Sequence, residues 1–439
     1  MLNQLKSLFG RLDGGHGLTR GAAISFTLRI AGAGFGFALN VLIARLYGAT
    51  GAGLYFLALT IAGIASLLGR VGLENAVLRF IAAAASASDW ARVRAISRRA
   101  ILIVLLASVL TSVAFFLLAG YLASSVFAKP ALYSLLRVLT FSILPIAFIV
   151  LYGAMLKALQ HIRDSQLVEA VATPMFALLL TGTVGYRFGV SGAISAFVIA
   201  ALMTAALGAF LWHRHSPPVT VDSPTQPPLR LLSTSASFVW VQLLNTVTDW
   251  ADILILGAFW PAEAVGIYGV AKRLALTVSF ILIAVNNIAA PKFAALHHQK
   301  DHAALSKVAV YSARLTLLAA GPVLLLLMLF SSFFMGIFGS GFRTGAGVLV
   351  VLALGQLVNV AVGSVGQLLA MTGHEKILRN IFLVATVLNL SGNFLLIPKF
   401  GMMGAALSSV FFVVVTNLAA AWFVRSRLKI GAHVLARVN

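Results

Sequence analysis

Residues 248–275 read TDWADILILGAFWPAEAVGIYGVAKRLA. Two apolar runs flank a short turn around Pro261 to Gly266, a pattern that predicts two membrane helices joined as a hairpin. The first run carries Asp249 and Asp252, the second Lys272 and Arg273, all in otherwise apolar surroundings. Asp249 and Asp252 are three apart and share a helix face. Asp252 precedes the turn by about as much chain as Lys272 follows it, so at ~1.5 Å per residue both lie roughly 10 to 14 Å from the same helix ends. A charge at mid-bilayer costs roughly 2.5 to 3.5 kcal/mol on insertion scales, so the acidic and basic pairs are expected to face one another across the hairpin.

The same apolar character runs through the whole chain. Of 439 residues, 60% are hydrophobic and 10% charged, and the mean hydropathy is +1.00. A soluble domain of that composition could not keep its surface wet, so the chain is read as an all-α polytopic membrane protein. The runs lack the period-two alternation of barrel strands. Twelve spans are expected, at 22–46, 51–70, 98–122, 134–157, 166–186, 190–212, 231–259, 264–288, 308–331, 344–371, 378–397 and 402–424. Residues 1–21 lack a signal-peptide core and read as an uncleaved cytoplasmic segment with no soluble domain appended. The absence of cysteine excludes thiol catalysis, disulfides and cysteine-ligated metal.

The net charge of +21 raises the possibility of nucleic acid, and its distribution answers it. With the N-terminus inside, 22 of the 32 Lys and Arg fall on inner ends and loops and six on outer ones. That is the positive-inside signature, and it places both termini in the cytoplasm. The basic segments SDWARVRAISRRA and RSRLKIGAHVLARV are expected to lie on the anionic inner leaflet, not on nucleic acid.

The chain also repeats itself at an offset of 213 residues. GLY at 53–55 meets GIY at 266–268, and GAMLKALQHIR from Gly153 meets GQLLAMTGHEK from Gly366. One residue of slippage later, RFGVSGAIS from Arg187 meets KFGMMGAAL from Lys399. Six spans per repeat is an even number, so both halves enter the membrane from the same side as parallel repeats, with a substrate site between them. The expected division is a cytoplasmic segment 1–21, an N-lobe 22–212, a linker 213–230 holding five prolines, a C-lobe 231–424 and a basic cytoplasmic tail 425–439.

Several stretches carry a family resemblance. GLTRGAAISFTLRIAGAGFGFALNVLIARLYGATGAGLY, GLENAVLRF, WADILILGAFWPAEAVGIYGVAKRLA and IPKFGMMGAALSS, in this order, resemble the polysaccharide-biosynthesis membrane proteins. These are the lipid-linked oligosaccharide flippases of the multidrug/oligosaccharidyl-lipid/polysaccharide exporter superfamily. The resemblance covers essentially the whole chain. It implies a V-shaped, two-lobe, alternating-access transporter in the bacterial inner membrane, moving undecaprenyl-diphosphate-linked oligosaccharide to the periplasmic leaflet for O-antigen, capsule or exopolysaccharide. It also implies a polysaccharide polymerase as a partner and no cofactor.

Within that frame the charged residues become candidates. Arg29, in the first span, has no acid in its own helix, and a guanidinium suits diphosphate oxygens. The plainer alternative pairs it with Glu74 or Glu169. Arg70 would join it as a cationic lip, the alternative being a snorkelling rim residue. Lys272 and Arg273 are assigned to substrate, Asp249 and Asp252 to proton or Na⁺ coupling, the alternative being a structural ion-pair cluster. Asn40 and Asn245 are candidates for glycan hydroxyls, although interhelical hydrogen bonds are the commoner role. His161 and His374 are not spaced as metal ligands, and no metal or catalytic residue is expected. A multidrug exporter of the same superfamily is the nearest alternative, but it would carry carboxylates in its first lobe where this chain has Arg29. A membrane glycosyltransferase or polymerase needs paired carboxylates holding a metal at a nucleotide-sugar site or a sizeable outer loop with catalytic residues, and the longest outer loops expected here are about a dozen residues and carry no acidic pair. Relatives associated with lipid II carry two further helices.

Overall fold

The structure, a computed structural model, describes residues 16–216, 246–428, 430 and 434, with side chains from residue 24 onward. Among the described residues all regular structure is helical. In chain order the helices are α1 (His16–Arg70), α2 (Leu73–Ser86), α3 (Trp90–Tyr121), α4 (Ala131–Ala158), α5 (Ile162–Thr183), α6 (Gly189–His215), α7 (246–259), α8 (Ala262–Leu276), α9 (Ser279–His298), α10 (His302–Leu329), α11 (Ala346–Val362), α12 (Val365–Met371) and α13 (Glu375–Phe423). Within α5, residues Leu167–Ala172 form a π-helical segment.

Nine helical stretches among the described residues are long and apolar enough to cross a membrane. Twelve spans are expected from the sequence, and two of the expected boundaries fall inside single long stretches. Those boundaries are glycines with left-handed φ: Gly48 in α1 (φ 64°, ψ −172°) and Gly401 in α13 (φ 55°, ψ −131°). An L-residue is strained there, so glycine interrupts the helix without any intervening loop. The expected span at 231–259 begins outside the described residues, and only 246–259 is seen as helix. Gly189, one of the repeat-matched glycines, has φ 63° and ψ −153°, close to its counterpart Gly401.

The surface of these helices is apolar. On α3, Leu102, Leu106, Leu110 and Leu117 are each more than half exposed, and Leu318, Leu325 and Leu329 on α10 behave likewise. Their spacing of three, four or seven puts them on a common stripe of each helix. A soluble fold would bury such stripes. Their exposure on long apolar helices marks lipid as the solvent.

The chain forms two compact units. The first comprises residues up to Leu39, Ala62–Ala119 and Ser134–Gln242. Its core joins Leu73, Val77 and Ile81 of α2 to Val93, Ile96 and Val104 of α3, Leu151 and Met155 of α4, and Trp212 of α6. Of the glycines in GAGFG at 32–36, only Gly32 is packed, where a Cβ would overlap the carbonyl oxygen of Ala170. Gly34 and Gly36 face open space.

The second unit comprises Asn40–Ile61, Gly120–Tyr133 and the chain from Leu243 onward. Residues 40–61, which precede the expected linker, therefore pack with the C-terminal half. Phe293, Leu305, Leu368 and Val424 lie at the centre of one apolar cluster, and Val278, Leu324 and Val360 at that of another. Trp260 donates its indole N–H to the Ile397 carbonyl at 2.8 Å and covers Gly401, fixing the break in α13.

Candidate functional site

The hairpin of α7 and α8 does bring opposite charges together, but only in part. Asp252 is 2% exposed. Its Oδ2 accepts from Lys272 Nζ at 2.6 Å, from the Tyr268 hydroxyl at 2.5 Å and from Ser409 at 3.3 Å. Its Oδ1 accepts from the Ile253 amide at 2.8 Å. Tyr268 and Lys272 are four apart on α8, so both reach the same carboxylate from one face. Lys272 also donates to the backbone carbonyl of Asp249 at 2.5 Å.

The two aspartates thus differ. Asp252 is saturated with donors and buried, whereas the Asp249 side chain is exposed and lines a cavity of about 130 Å³ with Thr248, Lys272, Gln356, Asn389 and Ser409. Thr248 bonds Thr386 across this region at 3.0 Å. The geometry gives one structural carboxylate and one carboxylate open to a polar cavity.

Arg273 departs from the expected acid–base pairing. Its guanidinium stands 3.7 Å from the Phe56 ring centroid and donates to the Gly269 carbonyl at 2.9 Å. Successive helical residues point about 100° apart, so Lys272 and Arg273 cannot both address the same carboxylates. The cation–π contact with Phe56 helps to relieve the charge where no ion pair to Arg273 forms among the described residues.

In the first unit, Arg29 donates Nε to the Gln166 amide oxygen at 3.0 Å. Among the described residues it makes no ion pair. The two glutamates that were its alternative partners are taken: Glu74 pairs with Arg70 at 3.7 Å, across the turn between α1 and α2, and Glu169 with Lys157 at 2.5 Å. Arg70 is thereby tied to a local carboxylate and is not brought to Arg29. Asn40 is half-buried in α1, and Asn245 lies outside the described residues.

Gln166, Tyr268, Ser409 and Lys157 were not singled out by the sequence. Only Tyr268 carried a signal, its spacing of four from Lys272 opposite an acidic pair.

His161, Asp164 and His215 form a further cluster in the first unit. His215 Nε2 and Asp164 Oδ2 are 2.7 Å apart, and the two imidazoles stack with centroids at 3.8 Å. Nitrogen and oxygen atoms of all three lie within 4.8 Å of one another. Two imidazoles on one tetrahedral ion would hold their centroids roughly 5 Å apart, so the observed arrangement is a stacked, hydrogen-bonded His–Asp cluster. Burial lowers the His161 pKa, the adjacent His215 lowers it further, and Asp164 opposes both. The folded chain then binds fewer protons at His161 than the unfolded chain, so stability falls as pH drops through the ordinary histidine range near ~6.5. The melting temperature in detergent is expected to fall between pH 7.5 and 5.5. His161→Asn should flatten that fall, and an unchanged slope would remove His161 as its source.

A set of long apolar helices with buried, partnered charges and exposed apolar stripes defines a multi-pass membrane protein. Residues 18–297 match the family described as polysaccharide biosynthesis protein, and the chain belongs to it. Over 417 residues it is 24% identical to the probable low-salt glycan biosynthesis flippase Agl15 of Haloferax volcanii, covering 94% of this chain and 84% of that relative. Among solved structures it is similar to an inward-facing multidrug resistance MATE family transporter of the MOP superfamily (TM-score 0.75, 16% identity, 93% of this chain and 98% of that one). It is likewise similar to the lipid II flippase MurJ in an inward closed conformation (TM-score 0.73, 12% identity, 93% and 87%). These relatives are flippases and transporters, not enzymes, and the solved structures establish the fold.

Proposed function

We propose that the chain translocates a lipid-diphosphate-linked oligosaccharide across the bacterial inner membrane, from the cytoplasmic to the periplasmic leaflet, for surface polysaccharide assembly. The family and the Haloferax relative, itself described as a glycan biosynthesis flippase, support this reading. The observation that carries it is Arg29, a guanidinium in an apolar helix whose hydrogen-bond partner is a neutral amide. Its charge remains available to an anionic ligand, and its planar fork matches diphosphate oxygens. In the proposed cycle Arg29 and Lys272 engage the diphosphate, with Arg70 and Arg273 adding positive potential.

The proposed architecture has twelve spans. The two glycine-interrupted helices each count twice and α7 completes the set, giving two parallel six-helix lobes with both termini in the cytoplasm. The lobes, 22–212 and 231–424, alternate between inward- and outward-open states, joined by the linker 213–230. A polysaccharide polymerase is the proposed partner downstream.

Asp249 is the proposed coupling residue, since its side chain is open to the cavity while Asp252 is fully engaged. Protonation or Na⁺ binding there would loosen the hold of Lys272 on the Asp249 region and bias the two states. Removing Arg29 tests the main reading. In reconstituted vesicles, Arg29→Gln is expected to lower translocation of the host's lipid-linked oligosaccharide by roughly 10- to 100-fold, the worth of a charge-assisted contact of about 1.5 to 3 kcal/mol. The melting temperature should stay near that of the unsubstituted chain. Unaltered translocation would remove the diphosphate role. The multidrug-exporter alternative predicts instead that organic cations are moved and that Asp249→Asn abolishes their transport.

A further inference from the structure

Helix α11 ends at Val362 and α12 begins at Val365, although the sequence runs apolar from 344 to 371 as one expected span. The break is Gly363, with φ 77° and ψ −152°. Non-helical backbone at membrane depth is tolerated where it is buried in protein or lines a wet cavity. Here a cavity is present. It measures about 280 Å³ and is lined by Asn286, Asn359, Ser364, Gln367, Thr416 and Asn417, with Leu282, Leu378 and Phe382 supplying apolar wall. Among the described residues no charged side chain lines it.

Two polar atoms of this lining are buried without a hydrogen-bond partner among the described residues, Ser364 Oγ and Asn286 Oδ1. Ser364 is only 6% exposed. An unsatisfied buried hydroxyl or amide costs about 1 to 3 kcal/mol, so such atoms mark a place where a partner arrives.

The duplication supplies an internal control. At the offset of 213, Asn286, Asn359, Gly363 and Ser364 correspond to Leu73, Ile146, Val150 and Leu151. In the first half these positions are apolar, α4 runs unbroken from Ala131 to Ala158, and Leu73 and Leu151 sit in the packed core at 0% and 2% exposure. Where one half has a dry core, the other has a broken helix and an amide-lined cavity. The difference is confined to positions that packing alone would keep apolar.

We infer that this cavity binds an uncharged, hydroxyl-rich group, a sugar ring of the transported glycan. The inference rests on the flippase reading above and adds to it a glycan subsite separate from the charged hairpin. Each amide both donates and accepts, which matches vicinal hydroxyls, and Phe382 offers a flat face to a pyranose. A diphosphate fits the lining less well, because no cation among the described residues lines the cavity to neutralise it.

The chain's lack of cysteine makes the test direct. Ser364→Cys places a single thiol in the cavity, and its rate of alkylation by N-ethylmaleimide reports occupancy. The protein is reconstituted in phosphatidylethanolamine/phosphatidylglycerol vesicles containing the host's lipid-linked oligosaccharide fraction, undecaprenyl diphosphate without sugar, or neither. Alkylation at least five-fold slower with the sugar-bearing lipid, and unaltered by undecaprenyl diphosphate, is the expected result. A rate unaffected by the sugar-bearing lipid, in vesicles where that lipid is being translocated, overturns the glycan subsite and leaves water as the occupant. Equal slowing by both lipids overturns it in favour of a lipid or phosphate site.

If Ser364→Cys does not fold, Gln367→Cys reports on the same wall. Asn359→Leu and Asn417→Leu should raise the KM for the sugar-bearing lipid about ten-fold with the melting temperature and maximal rate retained, and a normal KM in both counts against the subsite. Absence of translocation by the unsubstituted chain would overturn the flippase reading itself, and this inference with it.

Discussion

Asp252→Ala is expected to destabilise the protein by about 3 kcal/mol, the low end of the cost of breaking a buried ion pair, because the Lys272 left behind is 19% exposed. Removing the carboxylate strands Lys272 Nζ, which then keeps only the Asp249 carbonyl, and frees the Tyr268 hydroxyl to its longer contact with Ser409 at 3.1 Å. Asp252→Asn should cost less, because the amide oxygen still accepts from Tyr268. Lys272→Met alone leaves a buried carboxylate held by two hydroxyls and an amide N–H, a milder loss. The double variant Asp252→Leu with Lys272→Met should be closer to the unsubstituted chain than Asp252→Ala, since replacing a buried pair by apolar groups is often near neutral. Thermal unfolding of the unsubstituted chain, Asp252→Leu, Lys272→Met and their double variant in one detergent measures the coupling as a double-mutant cycle. Additive effects would show that Asp252 and Lys272 do not stabilise each other. Asp249→Asn separates the two acids: its melting temperature should barely move, while the dependence of translocation on an imposed ion gradient should weaken.

The pairing of Asp252 with Lys272 was legible in the sequence because depth along two helices of one hairpin can be counted. The direction in which a side chain points cannot be counted so easily, and Arg273 shows the consequence. It lies at the right depth, but one residue along a helix turns it by about 100°, onto Phe56. Phe56 is far away in sequence and looks like any other apolar residue of its span. Arg29 shows a second limit. Its depth and charge were readable, but its candidate acids are satisfied by nearer cations, Glu74 by Arg70 four residues earlier and Glu169 by Lys157 across a short loop. A local partner needs less chain ordering than a distant one, so it prevails. Gln166, a neutral residue in a polar stretch, gave no sign of being left to meet Arg29. The Gly189 and Gly401 turns were marked by the repeat, since matched glycines in matched loops imply a backbone that other residues cannot adopt. The broken helix at Gly363 was hidden by the opposite circumstance: its counterpart Val150 continues a helix, so the repeat argued for continuity.

A comparably large loss is expected from Gly53→Ala and from Gly266→Ala. These two glycines occupy equivalent places in the repeat, and within the second unit they face each other. A Cβ on Gly53 would overlap the carbonyl oxygen of Ala262 and come within 2.9 Å of the Gly266 amide nitrogen. A Cβ on Gly266 would overlap the carbonyl oxygen of Ala49 and come within 2.9 Å of the Gly53 amide nitrogen. Ala49 and Ala262 are themselves repeat-matched, so the contact is reciprocal: an Ala-xxx-Gly stripe of α1 lies on the equivalent stripe of α8. Small residues four apart let helix backbones approach closely in a membrane, where packing and not water drives association. Overfilled cores usually lose about 1 to 3 kcal/mol by shifting side chains. Here the obstacle is backbone on both sides, so the helices themselves must separate, and the loss should reach or exceed the top of that range. The control lies in the same first helix. Gly34→Ala and Gly36→Ala meet nothing within 4 Å, and alanine favours a helix over glycine by roughly 0.5 to 1 kcal/mol, so both should hold or raise the melting temperature. If Gly53→Ala unfolds no earlier than Gly36→Ala, the two helices are not in backbone contact. If it unfolds much earlier, a second alanine at Gly266 should add little, because one Cβ has already forced the stripes apart.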